Sequence, residues 1–280
     1  MKRILEVAEQ SFKTSWTHKP LWVFGLFVVA AGGGGGSRSG GHRASEAASQ
    51  LPDWVVPLLV IGPLLGLLAL VMHLLSEGAL IRAVKRSRDG NNVRVGQAMR
   101  AGLKTAPKVL GVKLLGGIAI VGTLAAVAVP IFLHIFDVLS MPAAILITLP
   151  ILALAVPVLI TLSLAMEIAL RIAVLEDKGV FESWRGARAY LSGRLIDSLQ
   201  LFVLSAVAQA GFVLAALMVV LRFAAVGVAV WALGASILVS AITAGVLAAP
   251  FLLTLIGALG TFRSSVWTHG FLNARAEEAA

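Results

Sequence analysis

The chain has 280 residues, of which 59% are hydrophobic and 13% charged, with a mean hydropathy of +0.94. Soluble domains carry about a quarter charged residues, so an ordinary soluble fold is excluded, and the net charge of +9 is expected to reflect membrane topology rather than nucleic acid. The absence of cysteine excludes disulfides, thiolate metal sites and a cysteine nucleophile.

The expected class is all-α, a polytopic transmembrane helix bundle with amphipathic interfacial helices. Residues 1–19 place Ile4, Ala8, Phe12 and Trp16 on one face, with Lys2, Arg3, Glu6, Glu9 and Lys13 elsewhere. That is the pattern of an interfacial helix and not of a signal-peptide h-region, and Trp16 is its expected anchor. Residues 20–36 make a thin first span, because the apolar part, Leu21 to Ala31, falls short of the roughly 20 residues a crossing needs. Residues 37–53 are Gly, Ser, Ala and Arg and read as a flexible outer loop. Gly36 to Gly41 has P-loop composition only, since His42 stands where a phosphate-binding loop needs Lys.

Residues 54–86 form the second span, with Gly62 and Gly66 in a close-packing GxxxG spacing and the helix continuing past the bilayer. Between Arg82 and Lys108 eight Lys or Arg face one acid, Asp89. A DGNN turn breaks this stretch, and 87–108 reads as a cytoplasmic amphipathic linker resuming as helix near Val93. Arg82, Lys85, Arg86 and Arg88 are the expected contacts for anionic lipid. The third span, 109–136, and the fourth, 141–170, flank a short outer turn around Asp137, and Pro150 and Pro157 are expected to kink the fourth.

Glu167 and Arg171 sit four apart at the end of that span, a spacing that pairs opposite charges on one helix face. Asp177, Lys178 and Gly179 then make a break. Within 171–195, Phe181, Trp184, Ala187, Leu191 and Leu195 recur at spacings of three and four, with Glu182, Arg185, Arg188 and Arg194 between them. This is a second amphipathic linker, anchored by Trp184. Residues 196–221 are the fifth span, ended by Arg222. The sixth, 226–262, is 37 residues without a charge, about 55 Å of helix against a hydrocarbon core of about 30 Å. It must overrun or bend, with Pro250 the place for a bend, before a tail over 263–280.

With both termini cytoplasmic, twenty Lys or Arg lie inside and three, Arg38, Arg43 and Arg222, outside, as the positive-inside rule demands of six spans. Sliding the sequence by 87 residues lays Gln10, Trp16 and Pro20 on Gln97, Leu103 and Pro107, and then Leu103 on Tyr190. EGALIRAV from Glu77 matches EIALRIAV from Glu167 at a spacing of 90. Three units, each a surface helix and two spans, account for the length.

Chemistry is sparse. His73 and Glu77 are an i, i+4 pair with no second such pair to complete a metal site, and Glu167 with Arg171 reads as a neutralised interfacial ion pair. There is no HExxH, no GxSxG and no carboxylate pair set for catalysis, so no catalytic residue, metal or cofactor is assigned. Gln200 and Gln209 in the fifth span and Ser236, Ser240 and Thr243 in the sixth read either as interhelical hydrogen-bond partners or as a polar path.

The phrases TSWTHKPLWVFGLF and LEDKGVFESWRGARAYLSGRL resemble a group of bacterial six-span proteins similar to the membrane domain attached to some glycerophosphoryl diester phosphodiesterases. The resemblance implies a multi-pass protein of the bacterial inner membrane. It carries over no catalytic residue, because the phosphodiester chemistry of the fused members belongs to a separate soluble domain. The leading expectation is therefore a non-enzymatic scaffold or accessory subunit that binds anionic lipid or other membrane proteins, and no nucleic acid. A small-solute transporter or permease subunit is the alternative, and an integral lipid enzyme the third reading.

Overall fold

The computed structural model describes residues 2–32, 55–91 and 94–279, and side chains within 4–29, 61–91 and 94–278. The outer loop at 37–53, with Arg38, Arg43 and the P-loop-like glycines, lies outside the described residues. Among those described there is no strand. The helices are α1 (Lys2–Thr17), α2 (Trp22–Gly32), α3 (Val55–Arg88), α4 (Val95–Ile135), α5 (Met141–Leu175), α6 (Val180–Ala232) and α7 (Ile237–Ala279), with a 3-10 turn at Lys19–Leu21 between the first two. The last five are long and apolar enough to cross a membrane. With 41, 53 and 43 residues, α4, α6 and α7 each reach about 60 Å or more, twice the hydrocarbon thickness.

The helix ends are set by local chemistry. Gly90 (φ 75°), Asp137 (φ 57°) and Gly234 (φ 96°) take the left-handed conformation. After each, the next amide donates to a carbonyl five residues back, as Ala235 does to Val230 at 3.3 Å and Val138 to Leu133 at 2.9 Å. This Schellman closure satisfies the orphan carbonyls of a helix end. Ser236 then caps α7, its hydroxyl accepting from the amide of Val239 at 3.3 Å.

Two sequence expectations are corrected here. Arg222 does not end the fifth span, since α6 continues ten residues to Ala232 and the turn falls at 233–236, where a glycine accommodates the positive φ. The 226–262 stretch is therefore divided near its start and not at Pro250, through which α7 runs as one helix. The basic linker at 87–108 is also not a separate surface helix, because from Val95 onward it is continuous with the third span as α4. By contrast α6 is two segments joined at Arg194, whose φ of −139° and ψ of 37° are non-helical.

The chain packs as two units, Met1–Lys104 with Leu204–His269, and Thr105–Val203 with Gly270–Ala280. In the first, Leu21, Phe24, Ala79, Leu80, Ala83 and Ala98 form a core against which Val28 and Met99 pack. Helices α2 and α7 cross at glycines, where a methyl on Gly25 would fall on the Gly257 carbonyl oxygen and one on Gly260 on that of Gly25. The Thr261 hydroxyl donates to the Leu21 carbonyl at 3.1 Å. Among the described residues the expected close contact at Gly62 and Gly66 does not form, for none lies within 4 Å of a methyl at either. In the second unit Val109 and Val112 of α4, Leu164 to Val174 of α5 and Ala187 and Leu191 of α6 supply buried side chains, and Gly111 and Gly186 admit Val180 and Ile172.

Candidate functional site

Burial divides each long helix. The buried side chains of α3 concentrate at 74–84, of α4 at 98–112, of α5 at 164–174 and of α7 at 258–274, next to the Lys and Arg that end the apolar stretches. Farther along, Leu114, Ile118 and Val121 of α4, Leu146 and Leu154 of α5 and Val213, Leu214 and Leu217 of α6 are exposed. Each unit therefore carries its own packed, polar helix ends, and these are the candidate sites, taken one unit at a time.

In the first unit α1 turns Val7, Ser11, Thr14 and Ser15 inward and Leu5, Phe12 and Trp16 outward. Trp16 is 57% exposed, stacks on Phe12 and abuts Trp22. The Thr14 hydroxyl lies 3.1 Å from Nε2 of the buried His269. Around it Ser264, Ser265 and Thr268 of α7 are buried too, and the hydroxyls of Ser11, Ser15, Ser264 and Ser265 meet no hydrogen-bond partner among the described residues. Sequence reading missed this hydroxyl seam. Its signal is hydroxyls at one-turn spacing in both helices and the triplet Trp-Thr-His at 16–18 and again at 267–269.

His73 and Glu77 are both buried, 3.9 Å apart, with His73 Nδ1 3.1 Å from the Phe27 carbonyl oxygen. They tie α3 to α2, and no group of three metal-ligating side chains occurs among the described residues. Arg82 is half-buried, while Lys85, Arg86 and Arg88 are exposed in the last turn of α3. Cations there complement the helix's negative end. Arg86 donates to Gln97 at 2.9 Å across the turn. Met99, partly buried, packs on the core of this unit.

In the second unit Arg171 is 2% exposed and bonded to the Glu167 carboxylate. Trp184 is half-buried and donates its indole N–H to the Val112 carbonyl at 3.3 Å. This bond joins α6 to α4. At the bend of α6, Arg194 meets Glu277 at 3.1 Å and Glu278 at 3.5 Å, and Arg275 meets Glu176 at 2.7 Å and Glu278 at 2.8 Å. Arg275 also covers the Phe271 ring, which packs on Tyr190.

Gln200 and Gln209 are exposed, and the hydroxyls of Ser240 and Thr243 donate to the carbonyls of Ser236 and Val239, one turn back on their own helix. The chain matches no protein-family model, no curated protein and no solved structure.

Proposed function

We propose that this chain is a non-enzymatic, six-span protein of a bacterial inner membrane whose packed, basic helix ends form a cytoplasmic platform for anionic lipid and for partner proteins. The observation that carries this reading is the division of burial along the helices. In hydrocarbon, apolar side chains gain little by leaving lipid for protein; beyond it, water drives them together. Helices that are exposed along their apolar stretches and closely packed at their charged ends fit a membrane on one side and water on the other.

The platform then comprises α1 with its outward Leu5, Phe12 and Trp16, the basic end of α3, the start of α4 and the first segment of α6. In this reading α2 belongs to the first of six crossings, and both termini face the cytoplasm. The internal repeat draws support from burial, since Ala79, Leu80, Ala83 and Val84 are as fully covered as their matches Ala169, Leu170, Ala173 and Val174. Leu103 and Tyr190 do not match in this way, one being exposed and the other buried. The carrier reading is disfavoured by hydroxyls spent within their own helix and by glutamines that face outward.

The test is lipid retention. Each basic residue near an anionic surface contributes about 1 kcal/mol. Replacing the exposed Lys85, Arg86 and Arg88 with Gln should therefore reduce the acidic lipid that copurifies in detergent, with only a small loss of thermal stability from the helix end. Unchanged acidic lipid in a well-folded variant would remove the platform reading.

A further inference from the structure

Within the second unit a groove of about 660 Å³ opens between α5 and the first segment of α6, inside the range of about 300–1,000 Å³ usual for ligand sites. Its wall is apolar, made by Leu162, Ala165, Leu191 and Leu195. The neutral polar groups that line it donate elsewhere: Thr161 to the Pro157 carbonyl, Ser192 to that of Ala189, and Trp184 to that of Val112. That leaves Arg185 and Arg188, three apart on one helix face and both exposed. Neither makes an ion pair or hydrogen bond with a described residue. We propose that this groove is a phospholipid site, in which the guanidinium groups of Arg185 and Arg188 clasp the phosphate while an acyl chain lies along the Leu162, Ala165, Leu191 and Leu195 wall.

Charge and shape together select this occupant. Guanidinium forks bind phosphate oxygens in pairs, which an ammonium does not match. A soluble phosphate would satisfy the arginines and leave the wall bare. The groove also sits where the apolar stretch of α5 gives way to Glu167 and Arg171, the level at which a lipid's headgroup meets its chain. The proposal rests on the platform reading and sharpens it, because it places one tightly held lipid away from the exposed cations of α3.

The experiment is native mass spectrometry of the full chain in neutral detergent, titrated with phosphatidylglycerol, with phosphatidylcholine and with inorganic phosphate. One phosphatidylglycerol should stay bound under conditions that strip the rest. R185Q/R188Q should lower its occupancy about tenfold or more, and R185K/R188K by less, as loss of paired charge-assisted bonds implies. Ala165→Trp, which fills the groove and leaves both arginines, should also expel it, while replacement of Lys85, Arg86 and Arg88 with Gln should spare it. Equal occupancy in wild type and R185Q/R188Q overturns the groove site and leaves the platform standing. Displacement by inorganic phosphate as readily as by phosphatidylglycerol overturns the lipid as occupant. No preference for phosphatidylglycerol over phosphatidylcholine in the wild type overturns the platform's selection of anionic lipid, while a loss of either lipid in R185Q/R188Q still supports the groove.

Discussion

Replacing Gly260 with alanine is expected to destabilise the purified protein by about 3 kcal/mol, the upper end of what overpacking costs. The added methyl would fall on the carbonyl oxygen, carbonyl carbon and Cα of Gly25, which are backbone atoms with no rotamer to yield. Relief requires α2 and α7 to separate, which would stretch the bond from Thr261 to the Leu21 carbonyl. The same change at Gly62 or Gly66, where no described residue lies within 4 Å, should be neutral or slightly stabilising through helix propensity. Reversible unfolding in mixed detergent measures both. A Gly260→Ala variant as stable as Gly62→Ala would mean that the α2–α7 crossing is not close.

Glu167→Gln should cost about 3–5 kcal/mol, the penalty for removing one partner of a buried ion pair. Sequence alone suggests about 1 kcal/mol, appropriate to a partly exposed pair. The larger figure follows from the burial of Arg171, 2% exposed, which leaves its charge little access to water once the carboxylate is gone. Replacing both residues with leucine should recover much of the loss, because the buried guanidinium is then removed together with its carboxylate. Glu77→Gln is the comparison, since this acid is also buried and lies 3.9 Å from His73. Equal small losses for Glu167→Gln and Glu77→Gln would contradict the buried pair. Retained stability with loss of solute flux in reconstituted vesicles would make Glu167 a transport carboxylate and replace the platform with a carrier.

The helical class was legible because long apolar runs bounded by Lys and Arg admit no other structure. The turns at Gly90 and Asp137 were legible for a local reason, as each lies in a short polar interruption. The turn at Gly234 was hidden, for it sits in a charge-free run where Arg222 offered a stronger but misleading boundary. The glycine contacts were misassigned because GxxxG spacing reports what a helix face permits and not which helix approaches it. Gly62 and Gly66 have the spacing, whereas Gly25, Gly257 and Gly260 make the contact. The pairing of Glu167 with Arg171 followed from i, i+4 geometry, yet its depth of burial depended on helices distant in sequence. The hydroxyl seam of α1 and α7 was obscured because an amphipathic pattern draws the eye to Phe12 and Trp16, the face that turns away.

The account stands on the packed, basic helix ends sharing the cytoplasmic side, and single-cysteine accessibility in intact cells tests that most directly. Native cysteine is absent, so each introduced thiol reports alone. Cysteines at Ser39, at Asp137 in the α4–α5 turn and at Leu233 in the α6–α7 turn should react with an impermeant maleimide from outside. Cysteines at Asn91 and Lys178, in the turns that join the basic ends, should react only after the membrane is permeabilised. Labelling of Asn91 or Lys178 from outside, or of Asp137 only after permeabilisation, would contradict the account.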